Sequence, residues 1–166
     1  MQLYMVYLGG RMQGCHIEMH DIRFVVANCI EDTYAKLKSQ WVGDKNAVHI
    51  DSYMAIKHID GYKVEIVDTP VIQAQYLYFV NIGGYKSDSM AEQHDFGLYV
   101  ADNKEHAKQR AINEMLSGLD QIHKDDLYGV DDCFAIDLFD SQLNIKLTPS
   151  GKAQKIKPDW YGYHVL

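Results

Sequence analysis

Two short runs, Glu18-Met19-His20-Asp21 and Glu92-Gln93-His94-Asp95, place carboxylates and an imidazole side by side twice in one chain. In extended backbone, residues i and i+2 share a face. Glu18 then points with His20, and Glu92 with His94, while Asp21 and Asp95 face the other way or turn into the strand that follows. A carboxylate beside an imidazole fixes its tautomer and raises its basicity. General acid–base catalysis uses that, and so does metal ligation. The plainer use is structural: the Asp accepts from backbone N–H groups, and the Glu and His stitch a loop shut. His49 with Asp51, and His123 with Asp125, form a second repeated pair. Local bonding is its expected use, and the fold is free to bring it to the first set in space.

A glycine pair precedes each run: Gly9-Gly10 and Gly83-Gly84. Glycine reaches backbone angles that other residues avoid. The expected role is a sharp turn where a strand ends, and successive exposed N–H groups there also suit an anion. The candidate ligand-binding residues are therefore Gly9, Gly10, Glu18, His20 and Asp21, with Gly83, Gly84, Glu92, His94 and Asp95. His20 and His94 are also the candidate metal ligands.

These residues repeat because the chain repeats. A shift of 74 residues aligns Leu3–Lys38 with Leu77–Ile112 without a gap, and 11 of 36 positions are identical. The same shift places His49 on His123 and Asp51 on Asp125. The second copy then has an insertion of about five residues, and the copies continue as paired strands. Two copies are too few for a solenoid, so two fused modules packing together are expected. Residues 1–74 form the first, 75–148 the second, and 149–166 an aromatic tail that packs on the body.

Each module reads as strand, long loop, strand, helix and strand pair. "LYMVYLG" and "YLYFVNIG" have strand composition, as do "DIRFVVA" and "DFGLYVA". About a dozen residues separate the two strands of each copy, against two to five in a tight hairpin. Asn28 with Glu31, and Asp102 with Glu105, have capping-box spacing. Tyr34, Leu37 and Trp41 form one helical stripe, and Ala107, Ala111 and Met115 another, widened by Ile112 and Leu116. Gly43 and Gly118 are placed to stop the helices. Asp60-Gly61 suits a type I′ hairpin turn, and Asp140-Ser141 gives a looser one. The fold class expected is α+β, an internal duplication with two helices packed on mainly antiparallel sheet.

Composition excludes several functions. Nearly half of the 166 residues are apolar, as in a globular chain. The formal net charge is −7, concentrated in residues 75–148. An acidic body is ill suited to neutralising phosphates, so a nucleic-acid partner is not expected. No run approaches the roughly 18 apolar residues of a membrane helix. The start "MQLYMVYL" lacks a basic and then long apolar leader, which makes the cytoplasm the expected location. Cys15, Cys29 and Cys133 show neither zinc nor disulfide spacing. There is no nucleophile elbow, P-loop or dinucleotide fingerprint.

The order strand, Gly-Gly, variable loop, Glu-x-His-Asp, strand resembles a bacterial family known only as domain of unknown function fifteen-forty-three. "YLGG", "IEMHD" and "HIDGYKVEI" carry the likeness, which covers residues 1 to about 147 in two copies. It implies no activity. A weaker likeness is to the glyoxalase-like vicinal-oxygen-chelate superfamily: "HDFGLYVADNKEHA" is similar to its first strand and helix entry, and "DGYKVEI" to its closing strand. That resemblance implies Glu65 as a metal ligand, although the second copy has Lys146 or Asn144 in its place and the strand register favours Asp21 or Asp95 over His20 or His94. The reading that follows is a small-ligand or protein-partner binding module acting through the duplicated loops, with its cofactor, if any, left unknown by the sequence and a homo-oligomer compatible with it. The alternatives are a divalent-metal-dependent enzyme of glyoxalase-like type and a structural or assembly protein.

Overall fold

The computed structural model describes residues 1–115, 121–122, 132–136, 138 and 142–166. Three antiparallel sheets and two helices make up the described chain. The first copy supplies strands β1 (Gln2–Gly10), β2 (Met19–Ala27), β3 (His49–Ile56), β4 (His58–Ile59) and β5 (Tyr62–Val67), with a 3-10 turn at Glu31–Thr33 running into helix α1 (Tyr34–Gln40). The second supplies β6 (Tyr76–Tyr85), β7 (Gln93–Ala101), helix α2 (Lys104–Met115), β8 (Gln121–Ile122), β9 (Asp132–Ala135) and β10 (Asn144–Pro149). The tail contributes β11 (Trp160–Val165).

The duplication is visible in the register. Leu8 lies opposite Asp21 and Gly9 opposite His20 in the first copy; Ile82 lies opposite Asp95 and Gly83 opposite His94 in the second. Tyr4 pairs with Ala55 as Tyr78 pairs with Ala135, and Met5 with Met54 as Phe79 with Phe134.

Alternation along the strands builds the layers. On β1, Leu3 and Met5 face one way and Tyr4, Val6 and Leu8 the other. The first set joins Leu77, Phe79, Leu98 and Val100 of the second copy in a shared core between the two sheets. The second set packs on Leu37 and Trp41 of the first helical segment. Tyr78, Val80 and Ile82 likewise pack on Ala107 and Ala111 of α2. The order is helix, sheet, sheet, helix. Phe79 edges onto Phe24 at 5.4 Å, tying the two sheets through their rings, and lies 5.9 Å from Phe96 of its own sheet.

The closing strands of the two copies pair with each other. β5 and β10 run antiparallel, with Glu65 opposite Lys146. Aligning "YKVEIV" with "LNIKLT" also sets Glu65 on Lys146, so a local twofold axis passes through that pair. The Asp60-Gly61 turn has φ of 49° and 85° at its two central residues, as a type I′ hairpin requires. Asp60 reaches into the second copy, where its Oδ2 accepts from Val100 N and Arg110 Nη1, both at 2.7 Å.

Three local expectations differ from what is observed. The strands are longer than the sequence pattern suggests, so the loops shrink to residues 11–18 and 86–92 and both glycine pairs lie inside strands. The capping boxes do not form. The first helical segment starts from Ile30 with no side-chain cap, and α2 is capped one residue later, with Asn103 Oδ1 accepting from His106 N at 2.9 Å. Gly43 does not stop α1, which ends at Trp41 in extended conformation. Its lack of a side chain is needed because a Cβ there would lie 2.3 Å from the Arg11 carbonyl. His123, Asp125, Gly118, Leu116 and the Asp140-Ser141 turn lie outside the described residues.

Candidate functional site

β1 runs between β2 and β3, and Gly9 has His20 on one side and His49 on the other. Cross-strand partners share a face. Both imidazoles therefore stand on the inner face of the sheet, at the end where the shared core stops. The β1–β3 register slips between Tyr7 and Leu8: Tyr7 pairs with Ser52 and Leu8 with Ile50, leaving Asp51 as the extra residue of a bulge. Bulges re-aim side chains, and this one lets Asp51 join His49. Glu18, the last loop residue before β2, completes the group.

Four contacts link the four side chains. His49 Nε2 lies 3.2 Å from Asp51 Oδ1 and 3.6 Å from Glu18 Oε1. His20 Nε2 lies 3.4 Å from Asp51 Oδ2 and 4.0 Å from Glu18 Oε2. His49 is fully buried at 1% exposure, whereas the Glu18 and His20 side chains are 43% and 38% exposed. The group is thus rigid at its floor and open at its mouth. Asp51 Oδ2 and His49 Nδ1 are buried without a hydrogen-bond partner. The His20 contact at 3.4 Å does not align as a hydrogen bond, which leaves Asp51 Oδ2 able to accept from a ligand.

Gly9 has a different role from the turn expected of it. A Cβ at that position would sit 2.6 Å from His49 Nε2 and 2.8 Å from Asp51 Oδ2. Glycine here is a gap in the strand surface that the imidazole and carboxylate occupy. Gly10 does the same on the outer face, where a Cβ would meet the Trp41 ring at 2.9 Å.

Asp21 turns away, as alternation requires. Its Oδ1 accepts from Ile22 N at 2.7 Å and its Oδ2 pairs with Arg23. Asp95 makes the matching contact with Phe96 N at 2.8 Å. Glu92 Oε2 lies 3.4 Å from His94 Nε2 in the second copy. Glu65 stands apart from the group: Lys63 Nζ donates to it at 2.7 Å and Thr148 Oγ1 at 2.8 Å. The Lys63 bond, followed by that of Thr148, lowers its pKa. Among the described residues, no group of three or more His, Cys, Asp or Glu side chains could hold a metal ion.

Aromatic rings frame the cluster. Tyr7 stacks on His20 at 5.3 Å and on Phe96 of the second copy at 6.0 Å. Burial, then the nearby Asp51 and Asp21, raise the Tyr7 phenol pKa. Tyr163 of β11 lies over His49 with ring centroids 4.1 Å apart. β11 pairs with β3 along Trp160–Tyr53 and Val165–His49, so the tail closes that side of the site. An apolar recess of about 220 Å³ opens beside Tyr7 and Ser52, walled by Met5, Met54, Phe96 and Ile156. Alternation from Gly9 places Tyr7 on this face already at the level of sequence. Nothing in the repeat points to Tyr163, because the tail has no second copy.

The family comparison agrees with the duplication. The profile described as Domain of Unknown Function (DUF1543) matches twice, over residues 15–66 and 89–139. A crystal structure of protein Il1583 from Idiomarina loihiensis is similar over 98% of this chain and 96% of that one, at 35% identity and a TM-score of 0.76. No curated protein matches significantly. No helix among the described residues is long and apolar enough to cross a membrane. The chain belongs to the DUF1543 family in its tandem form.

Proposed function

We propose that this DUF1543 protein binds a small ligand at the inner-face cluster of Glu18, His20, His49 and Asp51, with the neighbouring recess taking the ligand's apolar part. One observation carries the reading. The duplicated residues, which diverge at most positions, meet here in space, and each has its counterpart in the second copy: Gly9/Gly83, Glu18/Glu92, His20/His94, His49/His123 and Asp51/Asp125. Other kept positions, such as Leu3/Leu77 and Val6/Val80, are apolar core, whereas the Glu, His and Asp pairs here are polar positions that core packing does not require. Small-molecule sites pair an apolar wall with a few convergent polar groups, and Asp51 Oδ2, which His20 Nε2 approaches at 3.4 Å without an aligned hydrogen bond, is one of them. The charge of two carboxylates favours a ligand bearing N–H donors or positive charge. Glu65, the metal ligand that the glyoxalase-like resemblance implies, accepts instead from Lys63 and Thr148, and the reading does not draw on it.

The test is thermal unfolding of the full chain against a panel of small amines, amidines, carboxylates and phosphates. Amine or amidine hits that stabilise the wild type, and do not stabilise Asp51→Asn, support the reading. A panel in which every stabilising compound acts equally on both proteins would overturn it.

A further inference from the structure

We propose that the outer face of the sheet formed by β10, β5 and β4 docks an acidic, extended segment of another protein. This face lies apart from the inner-face cluster, and the two readings stand or fall separately.

Alternation sorts the small sheet into two sides. Tyr62, Val64, Ile66, Ile145 and Leu147 pack into the shared core. The residues between them face outward, among them the exposed Lys63 and Lys146. Three more exposed lysines border this face. Lys57 leads into β4, and the tail brings Lys152 and Lys155 alongside it. Ser150 N and Gly151 N donate to the Gly61 carbonyl at 2.7 and 2.9 Å, and Gln154 N donates to the His58 carbonyl at 3.0 Å. Five of the 16 Lys and Arg residues thus gather around one face of a chain whose net charge is −7.

Little answers that charge from within. Glu65 lies opposite Lys146 and accepts from Lys63, the one lysine of the five with a close ion pair among the described residues. Asp60 is turned into the second copy, toward Val100 N and Arg110. Asp68 lies just past the end of β5. Like charges on one surface repel and cost stability. Keeping the face wet does not require a single sign of charge.

The edges of this sheet are already occupied. Gln154 Oε1 accepts from Lys57 N at 3.0 Å on the β4 side. On the β10 side, Gln73 donates to the Ile145 carbonyl at 3.1 Å and accepts from Leu147 N at 3.0 Å. These amides take the groups to which an added strand would bond. A partner therefore lies across the face rather than beside it.

Charge then selects the partner. A second copy is disfavoured, because two such faces repel. A long nucleic acid or an anionic membrane would extend past the lysines and meet the acidic remainder of the chain. The outward positions of β4, β5 and β10 also hold no arginine to fork a phosphate and no Phe, Tyr or Trp to stack a base. A short run of Asp or Glu covers the lysines and reaches no further, and such complementarity speeds encounter and fixes the partner.

The experiment titrates a fluorescently labelled octaglutamate peptide with the full chain and reads anisotropy in low-salt buffer. Wild type is expected to bind it in the micromolar range. Lys146→Glu/Lys152→Glu is expected to weaken binding by about tenfold or more. Lys36→Glu/Lys104→Glu changes the net charge equally at exposed sites elsewhere and should weaken it by less than about twofold, since screening limits distant charges. Circular dichroism checks that both variants fold. Wild-type binding weaker than about 1 mM overturns the proposal. Equal losses in the two double variants also overturn it, because net charge alone would then be acting. Tighter binding of an eight-nucleotide single strand, or of phosphatidylserine vesicles, would overturn it too by giving the face to another class of partner.

Discussion

At the centre of the first helix–sheet contact stands Leu37; 74 residues on, at the same place in the second copy, stands Ala111, and both are fully buried. Their neighbours differ as well: Thr33 against Ala107, and Trp41 against Met115. The first copy presents a 3-10 turn and a seven-residue helix with large side chains, the second a twelve-residue helix with small ones. Two copies of one unit have thus solved the same packing problem with different volumes. Cores tolerate that when the total volume is kept. The Gly, Glu, His and Asp positions of the cluster show no such freedom. Core positions such as Leu3/Leu77 and Val6/Val80 are also kept, so the contrast is between the helix contacts, which packing lets vary, and the polar cluster.

The largest expected effect tests the packing half of that contrast. Leu37→Ala gives the first copy the residue of the second without its longer helix, and should cost about 2–5 kcal/mol through the cavity it leaves. Ala111→Leu should cost about 1–3 kcal/mol by overfilling the α2 contact. Chemical denaturation measures both. If Leu37→Ala unfolds at the wild-type midpoint, the two contacts are interchangeable and the contrast is lost.

The next effect sharpens the comparison at Val25 and Tyr99, which the repeat aligns. Both are buried, and only Tyr99 carries a proton. Its pKa is pushed up to about 12, first by burial and then by Glu114, against the opposing influence of the Arg110 guanidinium 5.1 Å above its ring. A phenol whose folded pKa lies above the unfolded value of about 10 contributes stability that is complete below pH 10 and lost as pH rises toward 12. The loss amounts to about 2–3 kcal/mol. Denaturant midpoints between pH 9 and 11.5 should fall more steeply for wild type than for Tyr99→Phe. Parallel curves would show that this site does not govern alkaline stability.

Sequence made the frame legible because duplication offers an internal control. The 74-residue shift predicts the paired registers around Gly9 and Gly83, and it also sets His49 and Asp51 on His123 and Asp125. The type I′ turn was legible because Asp60-Gly61 carries its own backbone requirement. What misled was glycine read alone. Gly9 and Gly10 suggest a turn, yet they lie in a strand and serve close approach, a property of the neighbours His49 and Trp41 that local sequence does not contain. The caps failed for a similar reason. Asn28 and Asp102 both offer a cap, yet the first helical segment has no side-chain cap and α2 is capped by Asn103, because cap use depends on how the preceding strand delivers the chain. The bulge that frees Asp51 and the seat of Tyr163 over His49 depend on cross-strand register, for which a single strand carries no signal.

The smallest expected effect concerns a difference that sits next to the site. Asp21 pairs with Arg23, whereas Asp95 has Gly97 two residues on. A Cβ at Gly97 would lie 2.6 Å from the Tyr99 ring, so the second copy has no room for the arginine. In both copies the aspartate also accepts from the next backbone N–H. If that backbone bond is what poses the aspartate, the arginine adds only a half-exposed ion pair, worth up to about 1 kcal/mol. Arg23→Ala should then lower stability by less than about 1 kcal/mol in dilute buffer, and the loss should shrink as salt is added. A loss well beyond that range, unaffected by salt, would mean that Asp21 depends on Arg23 for its pose. Asp95, which holds the same backbone contact beside a glycine, would then cease to be its structural equal.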